Sequence, residues 1–383
     1  MTASHDPDWD PTAASVLENQ QAAYDEMRRT CPVAYSTALG WSLFRHADVR
    51  AVLEDHETFS NMVSSHRSVP NGLDPPEHTA YRRAIEPYFA PEPLQQFGPI
   101  CRQIAGDLLE PVRGRELVDY MEVFATPFAV RCQCAFLGWP HALAERIGDW
   151  TRRNQAATLA RDRAVLSTLA DEFRGYVSEV LEERRGAPAS TDITTSLMQQ
   201  TSVNGAPLSD EDLTSIFRNW TAGEVGSLAS ALGTLAEHLA LDRALQERLR
   251  GEPSLVPIAI EEILRLSGPL VLNFRLAKRD VELGGRQIAA GERISLLWIA
   301  ANRDERAFGD STCLRLDRDP QASLLYGAGI HVCPGAPLAR LELTIALEEL
   351  LRCSRHVELA RDAPGRRAHY PMNGWASLPL RFG

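Results

Sequence analysis

The sequence predicts a mainly α protein with small β-sheets, folded as a single domain over residues 1–383 with a flexible stretch at 1–13. Three observations carry this. Apolar residues recur at helical spacing across most of 78–251. Alternating, β-branched runs are short and confined to 32–45, 271–298 and 375–383. No internal repeat, low-complexity tract or flexible linker divides the chain. With 44% hydrophobic and 24% charged residues, the 383-residue chain has a globular composition and enough length for a large core.

The elements follow in order. "ASVLENQQAAYDEMRRT" (14–30) reads as a helix, "PVAYSTALGWSLFR" (32–45) as a hairpin, and "HADVRAVLEDHETF" as a return to helix. The helices of 78–251 are broken at 138–140, 185–191 and 204–212. Ser209 with Asp212 resembles a capping box that opens a helix running to about residue 239. "VLNFRLAKRDVELGGRQIAAGERISLLW" contains short strands with turns at "GG" and "AAGE". "PLARLELTIALEELL" is a helix, and "WASLPLRFG" a last strand.

A formal net charge of −11 argues against nucleic acid as a partner. Cysteines at 31, 101, 132, 134, 313, 333 and 353 are odd in number and scattered, which is no disulfide framework, and Cys132 with Cys134 lacks the partners of a zinc site. The N-terminal stretch has neither a basic start nor an apolar run, so a cytoplasmic location without membrane attachment is expected.

"LLYGAGIHVCPGAPLARLELTIALEELL" (324–351) places Cys333 among glycines and just before a helix. Gly327, Gly329 and Gly335 allow backbone conformations and close approaches that side chains block, and Pro337 suits a first helical turn. The helix start favours an anion, so the thiolate is a nucleophile, a redox thiol or a metal ligand. Residue 336 is alanine, which leaves no C-x-x-C pair, and His331 is poorly placed as a base. A single thiolate beside glycines suits a large flat ligand, haem, with Cys333 as its axial ligand.

"YGAGIHVCPG" resembles the haem-binding loop of the cytochrome P450 family, with Tyr326 where phenylalanine is usual, and the likeness covers nearly the whole chain in order. "EEILR" (261–265) resembles the family's E-x-x-R motif, with Glu262 and Arg265 on one helical face as a structural ion pair. Arg318 is a candidate third member; Cys313 stands where an arginine is often found. "LDPPEHTAYRR" resembles the C-helix signature, and the resemblance makes His78, Arg82, Arg275 and His331 partners of the two haem propionates.

The resemblance also implies a long helix above the haem with an acid followed by a threonine for proton delivery. This chain reads "NWTAGEVGSLAS". Ala222 and Gly223 match, but Val225 and Gly226 replace the acid and the threonine, flanked by Glu224 and Ser227. Either Glu224 and Ser227 take over, or Glu224 is a flank residue and protons come through water or from substrate. One residue rotates a helical side chain by about 100°, so the first route needs a local distortion such as a widened turn. Only twelve residues, "NMVSSHRSVPNG" (61–72), separate "TFS" from "LDPPEH", a shorter roof than is usual in the family. Met62, Val63, Leu270, Leu272 and Trp375, with Ala222 and Gly223, match substrate-lining regions.

The function expected is a haem-thiolate monooxygenase using haem b (iron protoporphyrin IX) to insert one oxygen atom into a hydrophobic or aromatic small molecule. Electrons are expected from a separate ferredoxin and ferredoxin reductase, with Arg340 a candidate contact. The alternatives are a peroxide-dependent haem-thiolate enzyme and a non-catalytic haem-binding or recruitment protein.

Overall fold

The computed structural model describes residues 5–64, 67–186, 191–201, 205–368 and 372–383. Parts of four expected features, the flexible start, the short roof and the helix breaks at 185–191 and 204–212, lie outside the described residues. The chain packs as two compact units. The first comprises Met1–Arg67, Asn71–Asp74 and Glu261–Cys333; the second comprises Ser68–Pro70, Pro75–Ile260 and Pro334–Gly383.

The first unit is built on a five-stranded sheet in the order Val33–Ser36, Gly40–Leu43, Arg293–Leu297, Leu272–Ala277, Phe59–Ser60. The expected hairpin forms, with Val33 opposite Leu43, and its second strand runs parallel to Arg293–Leu297. Gly40 has φ 72°, and a Cβ there would lie 2.5 Å from the Arg293 carbonyl oxygen, so only glycine fits. Val33, Trp41, Leu43, Val49, Ile294, Leu296 and Trp298 form the core. The "GG" turn joins Val281–Leu283 to Arg286–Ile288 through two left-handed glycines.

Helix 14–30 is in fact two, Ala14–Glu18 and Gln20–Thr30. Asn19 interrupts it by capping the second, its side chain accepting from Ala22 N at 3.1 Å. Within the stretch read as flexible, Asp8 N donates to Tyr35 O at 2.9 Å, and the Trp9 ring packs on Tyr24 and Phe44.

The second unit is helical. Its axis is the helix Asp210–Leu241, capped by Ser209 Oγ accepting from Asp212 N at 3.1 Å. Against it pack Thr126–Leu137 and Ala336–Cys353, and Pro91–Leu109 packs on both of those. Leu143–Ala160 and Arg163–Gly186 add an outer layer. A single π turn lies at Met121–Ala125. Val118–Asp119, Pro379–Phe382 and Val357–Leu359 form a three-stranded antiparallel sheet; the expected last strand is split, its first part Trp375–Ser377 pairing instead with Arg366–Arg367. Among the described residues, no helix is long and apolar enough to cross a membrane.

Candidate active site

In the first unit, the cysteine loop is closed by Cys333 N donating to Tyr326 O at 2.9 Å and Gly327 N to Leu324 O at 3.0 Å. Gly327 and Gly329 take φ of 76° and 67°. A Cβ on Gly329 would run into the Leu53 carbonyl oxygen, so both conformation and space demand glycine there. The loop thereby presents Cys333 beside Val332, both uncovered by other protein residues.

Glu262 and Arg265 form a buried, two-pronged pair, with Arg265 Nε and a terminal nitrogen donating to the carboxylate at 2.7 and 2.8 Å. Arg318 Nε donates to the same carboxylate at 3.1 Å, so Arg318 supplies the third member. At 313 only the backbone takes part: Arg265 donates to the Cys313 carbonyl oxygen at 3.4 Å. Arg265 also holds the carbonyls of Asn302 and Ser311 at 2.7 and 2.9 Å. Burial pushes the Glu262 carboxyl up, but the two guanidinium groups outweigh it and hold the pKa below its ordinary value.

Arg275 is 5% exposed, and among the described residues its side chain donates only to the Phe274 carbonyl, at 2.8 Å. No described carboxylate lies within ion-pair distance of it. Burial lowers its pKa to about 10, Asp74 opposing from farther away, so it is a cation at neutral pH. His331 ends a short 3₁₀ turn in the cysteine loop. In the second unit, His78 and Arg82 lie buried one turn apart on the helix Glu77–Ile85, and Arg82 Nε pairs with Glu86 at 2.9 Å.

The helix Asp210–Leu241 is α-helical throughout, with no widened turn near residue 224. The distortion that would be needed to swing Glu224 into the place of the missing acid is absent. Glu224 meets Glu342 of the helix Ala336–Cys353 instead. Glu342 is 0% exposed, and among the described residues neither of its carboxylate oxygens has a hydrogen-bond partner. One of them lies within 4.8 Å of the thiols of Cys101 and Cys132, which are also within 4.8 Å of each other. Burial raises the pKa of Glu224, of Cys132 and, well above the ordinary range, of Glu342, to which the neighbouring Glu224 charge adds. Burial thus favours the neutral thiol at Cys132. Ser227 Oγ donates back to the carbonyls of Gly223 and Glu224 in its own helix. Ala222 and Gly223 leave that helix open, since a Cβ on Gly223 would meet nothing within 4 Å.

A family model described as Cytochrome P450 matches residues 156–364. The putative cytochrome P450 YjiB of Bacillus subtilis is 30% identical over 359 residues, 89% of each chain. The chain belongs to the cytochrome P450 family. Erythromycin C-12 hydroxylase of Saccharopolyspora erythraea is similar to this P450 at 30% identity over 377 residues, 93% of each chain. The crystal structure of CYP109E1 from Bacillus megaterium in complex with corticosterone matches it with a TM-score of 0.85 at 29% identity, covering 95% of this chain and 98% of that one. This P450 is a haem-thiolate monooxygenase and its cofactor is haem b.

The residues fit that group. A buried cation without a carboxylate partner, Arg275, is costly unless an anion meets it, and a propionate is such an anion. The glycine loop presents one thiol suited to iron. Sequence reading missed Glu342, Cys101 and Cys132. Glu342 had a signal: it falls on the apolar face of its helix with Leu338, Ile345 and Ala346. The described part of the short roof is tied to the long helix, with Val69 N donating to Ser215 Oγ at 2.9 Å and Asn219 Nδ2 to Val69 O at 2.9 Å.

Proposed function

We propose that this P450 hydroxylates or epoxidises a bulky hydrophobic small molecule in the cytoplasm, with Cys333 as the axial thiolate. The glycine-shaped loop that holds the Cys333 thiol carries the assignment. His78, Arg82, Arg275 and His331 are the propionate partners. When bound, the thiolate-held haem supplies dioxygen activation and the insertion of one oxygen atom.

The protein's own part is to shape the pocket and manage protons. Val225 and Gly226 carry no side-chain donor or acceptor. Glu342, kept neutral by burial, holds a proton at its carboxyl, and Glu224 takes that proton and passes it along the helix face. Ser227, engaged with its own helix, shapes the backbone there. Met62, Val63, Ala222, Gly223, Leu270, Leu272 and Trp375 are the proposed substrate contacts. Met62 is 55% exposed and Leu272 buried at 6%, so Met62 has the freer surface. The names of the relatives, which concern erythromycin and corticosterone, support a large, largely apolar substrate.

Electrons are supplied by a ferredoxin and its reductase, with the exposed Arg340 a contact for the acidic carrier. The test is reconstitution: ferredoxin, reductase and NADH with a panel of macrolides and steroids, following spectral displacement of the iron-bound water and product. Spectral binding followed by oxygenated product is expected. Turnover with peroxide alone, and none with any ferredoxin, would replace this reading with a peroxide-dependent enzyme; haem binding without any turnover would leave a non-catalytic protein.

A further inference from the structure

Gly226 sits inside the helix Asp210–Leu241, where glycine is disfavoured against alanine. Its backbone gives no reason for it, because it is ordinary helix and not among the left-handed glycines. Its neighbours do. A Cβ built on Gly226 would overlap Nε2 of Gln155 and lie 3.6 Å from Met372 Sδ. Gln155 reaches there from the helix Leu143–Ala160. The contrast within the same helix is informative: a Cβ on Gly223 would meet nothing within 4 Å. Gly223 leaves space open, whereas Gly226 gives its space to an amide.

That amide is half-buried and makes no hydrogen bond to the described residues. It therefore has no structural partner to explain its position. It lies at the residue where the family resemblance places a threonine. An amide, like an alcohol, both donates and accepts hydrogen bonds, and it arrives with the methyl-sized room that Gly226 frees.

We propose that Gln155 supplies, from a neighbouring helix, the hydrogen-bonding group that Val225 and Gly226 lack, and acts as a positioning residue for a water or small polar ligand beside the long helix. The amide does not itself pass on a proton; it orients the group that receives one. The proposal rests on the monooxygenase reading given above.

Two properties follow. Nε2 is the free end of a flexible side chain, so Gly226→Ala displaces the amide without breaking the fold. Gly226→Ala and Gln155→Leu should then remove the same interaction, and the double variant should be no worse than either. Gln155→Ala with Gly226→Thr moves the group back onto the helix and should restore what Gln155→Ala loses.

The test uses the haem-loaded full chain and carbon monoxide as the probe ligand. The C–O stretching frequency of the reduced complex reports a nearby hydrogen-bond donor, product per NADH reports coupling, and the melting temperature reports folding. Gln155→Leu, Gly226→Ala and their combination should shift the stretch to a common new value and lower product per NADH severalfold, with the melting temperature of Gln155→Leu held. The rescue pair should move both readouts back toward wild type. A wild-type stretch and coupling in Gln155→Leu, or a double variant showing the sum of two separate losses, overturns the proposal. Absence of the thiolate-type Soret band in the wild-type carbon monoxide complex would instead overturn the reading beneath it, and the proposal with it.

Discussion

Two buried glutamates, one in each unit, keep opposite company. Glu262 is 5% exposed and meets Arg265 and Arg318; Glu342 is 0% exposed and meets Glu224 and two thiols. Burial pushes both carboxyls toward the neutral form. In Glu262 the guanidinium groups win and the charge is fixed. In Glu342 no cation opposes burial, and the proton stays. Burial alone thus does not decide a carboxyl's state; its neighbours do. The first arrangement suits a brace, the second a group that can release and regain a proton.

The comparison breaks most visibly at Glu262. Glu262→Gln leaves buried Arg265 and half-buried Arg318 without their carboxylate, a loss of about 3–5 kcal/mol, measurable as a fall in the urea midpoint. A smaller loss is expected from Arg275→Ala, which removes a buried cation proposed to meet a propionate, at about 1.5–3 kcal/mol for a charge-assisted bond. It should show as faster haem transfer to apomyoglobin, with the apoprotein no less stable than wild type. Unchanged haem retention would remove Arg275 from the site.

A subtler pair of effects concerns pH. The folded pKa of Glu262 is lowered, so its contribution is present above about pH 4.3, the ordinary glutamate value, and lost as pH falls through the folded pKa. The folded pKa of Glu342 is raised, so its effect has the opposite sign: stability is full below about pH 4.3 and declines as pH rises through the folded value. The other titratable groups around it are Glu224, Cys101 and Cys132. Glu342→Gln should therefore gain melting temperature over wild type as pH rises from about 4.3 through the folded value of Glu342. Parallel melting curves for the two proteins would mean that Glu342 is not the proton holder. The smallest effect on stability is expected from Glu224→Gln, which keeps shape and substrate binding. It should nevertheless divert reducing equivalents to peroxide, and coupling equal to wild type would make Glu224 a bystander.

What the sequence disclosed and what it hid follow the same physical line. The Glu262–Arg265 pair was legible because i, i+3 spacing alone puts both groups on one helical face. The long helix was legible from Ser209 and Asp212, and the cysteine loop from glycines whose left-handed backbones are local properties. The break at Asn19 was masked by uninterrupted apolar spacing, although its capping side chain was visible. Glu342 with Cys101 and Cys132, and Gln155 with Gly226, come from separate helices, and only tertiary packing brings them together. An acid on an apolar face marked Glu342; nothing local marked Gln155. The widened turn that the Glu224 route requires is absent, and the helix is α-helical through residue 224.

The most direct measurement is the absorption spectrum of the reduced carbon monoxide complex, taken for wild type and for Cys333→Ser at equal haem content. Thiolate ligation by Cys333 predicts a strongly red-shifted Soret band in wild type and its loss in the variant, with the band moved to the position of a neutral or oxygen ligand. The same red-shifted band in Cys333→Ser would contradict the assignment and require another of the seven cysteines as the ligand.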